Sequence, residues 1–220
     1  MWKEREQCPK FLHFGLQRSG TNYFEGLMYR HFEVWCRNRG TGPHWKHSLQ
    51  MPGEITDEFM YFVISKNPYT WIESIAFRSP MDYIERQRLY PADDRNIDTD
   101  LLAGKKQLNV LNMARTWNHF HRNWMEISPN PRILVLKYED LLDLKHKALV
   151  SIGLYFDLPM RENASQYHSM ETSILDRQMD NNKKQYYASQ APKHLSEVQV
   201  SAISEVLERD VMKYCGYTVL

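Results

Sequence analysis

The chain has 220 residues, of which 42% are hydrophobic, and carries a formal charge of +1 at pH 7. That apolar content builds a real core and excludes wholesale disorder, while the near-neutral charge excludes a general attraction to nucleic acid or to an anionic membrane. An anion site must therefore be local, and the length suits one α/β domain over residues 1–220. Cys8, Cys36 and Cys215 are odd in number and widely spaced, without a C-x-x-C pair. They are expected to be free thiols of a reducing compartment. Met1 to Glu6 has no apolar signal region, and no later run is long enough to cross a bilayer. A soluble cytoplasmic protein is the simplest expectation, although a lumenal catalytic domain without its anchor would read the same way. Asn163-Ala164-Ser165 is a formal glycosylation sequon, a triplet that also arises by chance.

In chain order, Phe11-Leu12-His13-Phe14 is an apolar run suited to an inner strand of a parallel sheet. The loop Gly15-Leu16-Gln17-Arg18-Ser19-Gly20-Thr21-Asn22 follows. Phe24, Leu27, Met28 and His31 then recur at helical spacing, which starts a helix near Thr21. Phe32 to Cys36 reads as a second strand. Arg37 to Pro52 carries several breakers and the dense group His44-Trp45-Lys46-His47. Tyr61 to Ser65 is a buried strand running into Lys66-Asn67-Pro68, with Pro68 in the first turn of a helix that continues through Trp71, Ile72, Ile75 and Ala76.

Residues 79–101 are polar and rich in Pro and Asp, which fits either a lid or substrate loop or a solvated insertion. From Lys105 the pattern is helical, with Val110, Met113, Trp117, Phe120, Trp124 and Ile127 as an inward stripe. Arg132 to Leu136 is another buried strand, and Tyr138-Glu139-Asp140-Leu141-Leu142 opens a helix running towards Leu158-Pro159. Asn181-Asn182-Lys183-Lys184 is a basic loop. Ser196 and Gln199 fit a capping box for a final helix, with Val198, Ala202, Val206 and Leu207 inward and Gly216 as its stop. The fold class expected is α/β: a mostly parallel central sheet flanked by helices on both faces.

The chemistry concentrates at the first loop. A strand, a glycine turn and a helix start make an anion site, because free N–H groups converge there and the helix dipole favours negative charge. Arg18, Ser19 and Thr21 add a cation and two hydroxyls. The loop nearly spells G-x-x-x-x-G-K-[ST], but Thr21 stands where the lysine that reaches the outer phosphates of a nucleoside triphosphate belongs. Lys66 and Ser74, eight residues apart across a strand-to-helix turn, form a second candidate anion site. His47 has the chemistry of a general base near neutral pH, with His44 in reserve. His44, His47, His119 and His121 make no convincing metal set, since His119 and His121 point to different faces of one helix.

These four segments together resemble the sulfotransferases that use PAPS (3′-phosphoadenosine 5′-phosphosulfate). Arg18-Ser19-Gly20-Thr21 is similar to the family's 5′-phosphosulfate loop. Lys66-Asn67-Pro68 with Ser74 is similar to its 3′-phosphate motif, Trp45-Lys46-His47-Ser48 to the stretch bearing its catalytic histidine, and Leu134 to Leu141 to its strand ending in Tyr-Glu-Asp-Leu. The resemblance spans about residues 11 to 142. It implies a P-loop-like sulfotransferase fold, and an enzyme moving a sulfuryl group from PAPS to a hydroxyl or amine of a small-molecule or carbohydrate acceptor, with PAP as product and no metal. It implies His47 as base, with Arg18 and Lys46 on the transferring group. Ser19, Gly20, Thr21 and Asn22 would hold the 5′-phosphate, Lys66 and Ser74 the 3′-phosphate, and Tyr138 would lie near the adenine. Lysine at position 66 replaces the usual arginine and loses its bidentate fork. The family's C-terminal Arg-Lys-Gly motif is absent, and Lys183 and Lys184 stand as candidates for that contact. Two other readings remain open: a P-loop kinase with Asp140 as metal carboxylate, and a PAP-binding module that transfers nothing.

Overall fold

The structure, a computed structural model, describes residues 7–38, 45–78, 100–103, 106–162 and 192–220. Strands β1 (Lys10–Phe14), β2 (Trp35–Cys36), β3 (Phe59–Ser65) and β6 (Ile133–Lys137) form an all-parallel sheet in the order β2-β1-β3-β6. A separate antiparallel hairpin pairs β4 (Asp100–Ala103) with β5 (Lys106–Asn109).

The strands are apolar on both sides, as a sheet covered on both faces requires. Leu12, Phe14, Tyr61 and Val63 enter one core, and Phe11, Met60, Phe62 and Ile64 enter the other, in strict alternation. Helices α2 (Pro68–Arg78), α3 (Val110–Ile127), α6 (Glu197–Val206) and α7 (Arg209–Tyr214) cover the first face. Helices α1 (Thr21–His31), α4 (Tyr138–Asp143) and α5 (Lys145–Phe156) cover the second. The α3 stripe of Val110, Met113, Trp117, Phe120 and Trp124 is buried as its spacing predicts, with His119 outward and His121 inward. Truncating any of its aromatics to Ala would cost about 3–5 kcal/mol.

The strand order places the site. From β1 the chain moves outward to β2 and then crosses to β3 on the other side, so the direction of winding reverses between β1 and β3. In open α/β sheets the crevice beyond the carboxyl ends of the strands at such a reversal is where ligands bind. Phe14 is level with Val63 and Ser65 with Lys137, so the turns after β1, β3 and β6 all emerge at one edge.

Several expectations are corrected. The second strand is only Trp35–Cys36, because Phe32 ends α1 and forms an isolated antiparallel bridge to Met160. The third helix starts at Val110 rather than Lys105. Lys106–Asn109 is taken up by the hairpin, and the Asn109 side chain caps the helix by accepting from the Asn112 N–H. The helix after β6 is two helices, broken at Leu144. The final helix is also two, and its inward face differs. The capping box of Ser196 and Gln199 is present, and Leu207 is buried and Val206 packs against the core as expected, but Gln199 and Ile203 are buried as well and Val198 is 57% exposed. Gly216 follows α7 with φ of 76°, as a helix stop of that kind requires. Asp100 and Leu101 of the polar stretch belong to β4; its residues 79–99 lie outside the described residues.

Candidate functional site

The loop after β1 is held tightly by its neighbours. A Cβ on Gly15 would fall 2.8 Å from the Ile64 carbonyl oxygen and closer still to Ser19 Oγ, so only glycine fits there. Gly20 has φ of 94°, and a Cβ on it would strike the Tyr138 ring. Arg18 also takes a left-handed backbone, φ 69°, which is uncommon for a residue with a side chain and is a form of strain found at ligand sites. The Ser19 N–H donates to Leu16 O at 3.0 Å, and the Trp71 indole N–H donates to Gln17 O at 2.8 Å. Arg18 is left pointing to solvent.

Helix α1 then begins with no side-chain cap, and its first backward hydrogen bond runs from Phe24 N–H to Gly20 O at 3.0 Å. The preceding N–H groups of Thr21, Asn22 and Tyr23 have no intrahelical acceptor. No acidic residue occupies this first turn. Ser19 Oγ lies beside it, 98% of its residue buried, with no hydrogen-bond partner among the described residues. A buried hydroxyl without a partner costs about 1–3 kcal/mol, a cost that an anion's oxygen would remove.

The turn after β3 is the neighbouring element. Lys66 Nζ donates to Ser74 Oγ at 2.5 Å, and Ser74 Oγ donates in turn to Thr70 O at 2.8 Å. Lys66 is only 2% exposed, buried rather than displayed on the surface. Asn67 explains the helix start: its Oδ1 accepts from the N–H groups of Tyr69 and Thr70, at 3.1 and 3.4 Å. The Trp117 indole N–H donates to Lys66 O at 2.9 Å, which ties the turn to α3. Tyr138 joins the two candidate anion elements, since its ring lies against Gly20 and its centroid is 5.5 Å from Lys66 Nζ.

Lys46 and His47 are fastened to the first loop through one residue. The Gly15 N–H donates to Lys46 O at 2.9 Å, and His47 Nδ1 lies 2.7 Å from Gly15 O. A carbonyl oxygen can only accept, so Nδ1 carries the proton and Nε2 is left with its lone pair. Burial holds the His47 pKa below its ordinary value, with the Lys46 charge adding to the effect and the Gly15 hydrogen bond opposing it. The imidazole is therefore neutral at pH 7. Lys46 Nζ donates to Asn22 Oδ1 and lies 3.7 Å from Glu25 Oε2.

Sequence reasoning missed two buried carboxylates. Glu139, read as an acid suited to a helix start, is buried between elements: Oε1 accepts from Asn67 N–H at 3.0 Å, and Oε2 lies 2.7 Å from the Tyr217 hydroxyl. Burial raises its pKa, against the Tyr217 and Asn67 hydrogen bonds and the Lys66 charge. Glu25, one helical turn beyond Thr21, carried no signal at all. Asp140 lies 4.0 Å from Lys137, half-exposed. His44, Lys183, Lys184 and the Asn163 sequon lie outside the described residues.

No protein-family model, curated protein or solved structure matches this chain. Among the described residues, no helix is long and apolar enough to cross a membrane.

Proposed function

We propose that this protein is a PAPS-dependent sulfotransferase with a P-loop-like fold, transferring a sulfuryl group to a hydroxyl or amine acceptor. The observation that carries the reading is the pair of hydrogen bonds by which Gly15 holds Lys46 and a neutral, Nε2-accepting His47 beside an uncapped helix start. A phosphate-type loop alone would fit many proteins. A proton acceptor fastened to that loop, with a second cation-hydroxyl pair on the next strand, fits group transfer from a nucleotide carrying two separate phosphate groups.

The residues present suit the donor. The first-turn N–H groups of α1 and Ser19 Oγ match a 5′-phosphate, and Lys66 with Ser74 matches a 3′-phosphate. The donor, when bound, supplies a sulfuryl group on a phosphate leaving group. His47 Nε2 takes the acceptor proton as the acceptor oxygen or nitrogen bonds to sulfur and the bond from sulfur to the phosphate oxygen breaks. Arg18 and Lys46 offset the charge that collects on the departing oxygen. Positioning and electrostatics do most of the catalysis, as in phosphoryl transfer.

A thermal-shift comparison of PAP, ATP with magnesium, and buffer tests the donor class, since a ligand of the native state raises apparent stability. PAP is expected to stabilise and ATP with magnesium is not; the reverse result would make the protein a P-loop kinase. Assays with PAPS against hydroxyl and amine acceptors follow. PAP binding without transfer to any acceptor would make it a binding module.

A further inference from the structure

Behind the anion loop lie three buried polar side chains, Cys36, His13 and Glu25, to which the proposed chemistry assigns no role. Cys36 Sγ on β2 lies 3.3 Å from His13 Nδ1 on β1, and His13 Nε2 lies 3.7 Å from Glu25 Oε2 on α1. The same Glu25 oxygen lies 3.7 Å from Lys46 Nζ, and Lys46 reaches Asn22 in the first turn of α1. His13, Glu25 and Cys36 are all buried. Asn38 fixes the base of this group, with Oδ1 accepting from His13 N–H at 3.2 Å and Nδ2 donating to His13 O at 2.8 Å.

Cys36, His13 and Glu25 lie close enough to suggest a metal site. Two features weigh against it. The two imidazole nitrogens face different partners, so the ring bridges the thiol and the carboxylate instead of meeting them at one vertex. The carboxylate oxygen that faces the ring, Oε2, is already shared with the Lys46 ammonium.

We infer that Glu25 is a positioning residue: held from behind by the His13–Cys36 pair, its carboxylate anchors the Lys46 ammonium against Asn22 at the mouth of the anion loop. A lysine has four rotatable bonds and a strongly hydrated head, so without an anchor it samples solvent. Glu25 stands on the helix whose N-terminus forms the anion site, and so sets Lys46 in the frame of the bound group. His47 follows Lys46 directly, and Gly15 fastens both. The assignment rests on the sulfotransferase reading for its kinetic consequence, but not for the tether itself.

The test uses Glu25→Gln, Lys46→Ala, the double variant and Glu25→Asp. Glu25→Gln should lower kcat about tenfold, a coupling usual for contacting charged residues, with PAP affinity within about threefold of wild type. Lys46→Ala should lose at least as much, and adding Glu25→Gln to it should cost nothing further. Independently of activity, an amine-reactive label followed by mass spectrometry should modify Lys46 about fivefold faster in Glu25→Gln, with other lysines unchanged, once the strongly hydrated amine is released. Glu25→Asp, which retracts the carboxylate by one methylene, should lie between wild type and Glu25→Gln, and it decides the matter if Glu25→Gln does not fold. Additive losses in the double variant, or unchanged Lys46 labelling, would overturn the assignment. So would one equivalent of copurifying zinc that Cys36→Ser removes. If wild type neither binds PAP nor transfers, the functional reading fails, while the labelling still decides the tether.

Discussion

The Lys66 ammonium lies 2.5 Å from the Ser74 hydroxyl, joining the end of β3 to the second turn of α2. Both groups are buried, and the Ser74 hydroxyl spends its one proton on Thr70 O while accepting from the ammonium, so what the pair offers an anion is chiefly the Lys66 charge. An anion entering between them would be met by a charge already desolvated. Lys66→Met and Ser74→Ala should therefore weaken PAP more than a nucleotide lacking the 3′-phosphate, by about 1.5–3 kcal/mol for the charged contact. Calorimetry with both ligands checks this; equal losses for the two would remove the 3′-phosphate role.

Arg18 is aimed outward by a left-handed backbone rather than folded into the loop. Arg18→Ala should cut turnover about a hundredfold to a thousandfold while PAP binding changes much less, because the contact strengthens as charge develops. Arg18→Lys should retain part of the activity. Unchanged turnover at saturating donor in Arg18→Ala would sink the assignment.

His47 is held neutral, so the rate should climb with pH through a group titrating below the ordinary histidine value of about 6.5 and be flat above neutrality. His47→Ala should bind PAP normally, lose about a hundredfold to ten-thousandfold in turnover, and lose that acidic limb. A rate profile from pH 5 to 8 on both proteins decides it. A limb that survives in His47→Ala, and disappears in His44→Ala, would exchange the two roles.

His121 makes a prediction about stability alone. It is fully buried, its Nδ1–H donates to Trp117 O at 2.8 Å, and burial lowers its pKa to about 4. The unfolded chain takes up this proton near pH 6.5 and the folded chain only near 4, so the unfolded state binds more protons between them. Stability is complete above about pH 6.5 and falls as the pH drops towards 4, by about 3 kcal/mol. Urea titrations at pH 7 and pH 4.5 should show the loss, and His121→Leu should remove most of it. A wild-type midpoint that does not move with pH would contradict the burial argument.

Local pattern made the fold readable where one physical rule decides. Short apolar runs set β1 and β3, the stripe from Val110 to Trp124 set α3, and the strand-turn-helix grammar set the loop and the start of α1 at Thr21. Lys66 and Ser74 were paired from their spacing, and the structure brings them together. Tertiary facts were not readable. Glu25 and Glu139 are acids within helices, a position that normally faces water, and their burial depends on partners up to 78 residues away. Val198 matched the apolar pattern of α6, but Gln199 and Ile203 take the buried positions in its place. The start of α3 was misplaced because hairpin pairing outweighs helical periodicity over Lys106–Asn109.

Gly15 also has a kinetic meaning. Its amide and carbonyl both close onto residues about thirty positions later, so the loop and the Lys46–His47 segment join only after a long stretch of chain has folded. The amide hydrogen of Gly15 exchanges with solvent only when that junction opens. Its exchange rate therefore reports how often Lys46 and His47 leave the loop between β1 and α1, without any ligand present. Slow exchange there, beside faster exchange at Thr21 to Tyr23, would describe a frame around the helix start that is assembled without any ligand.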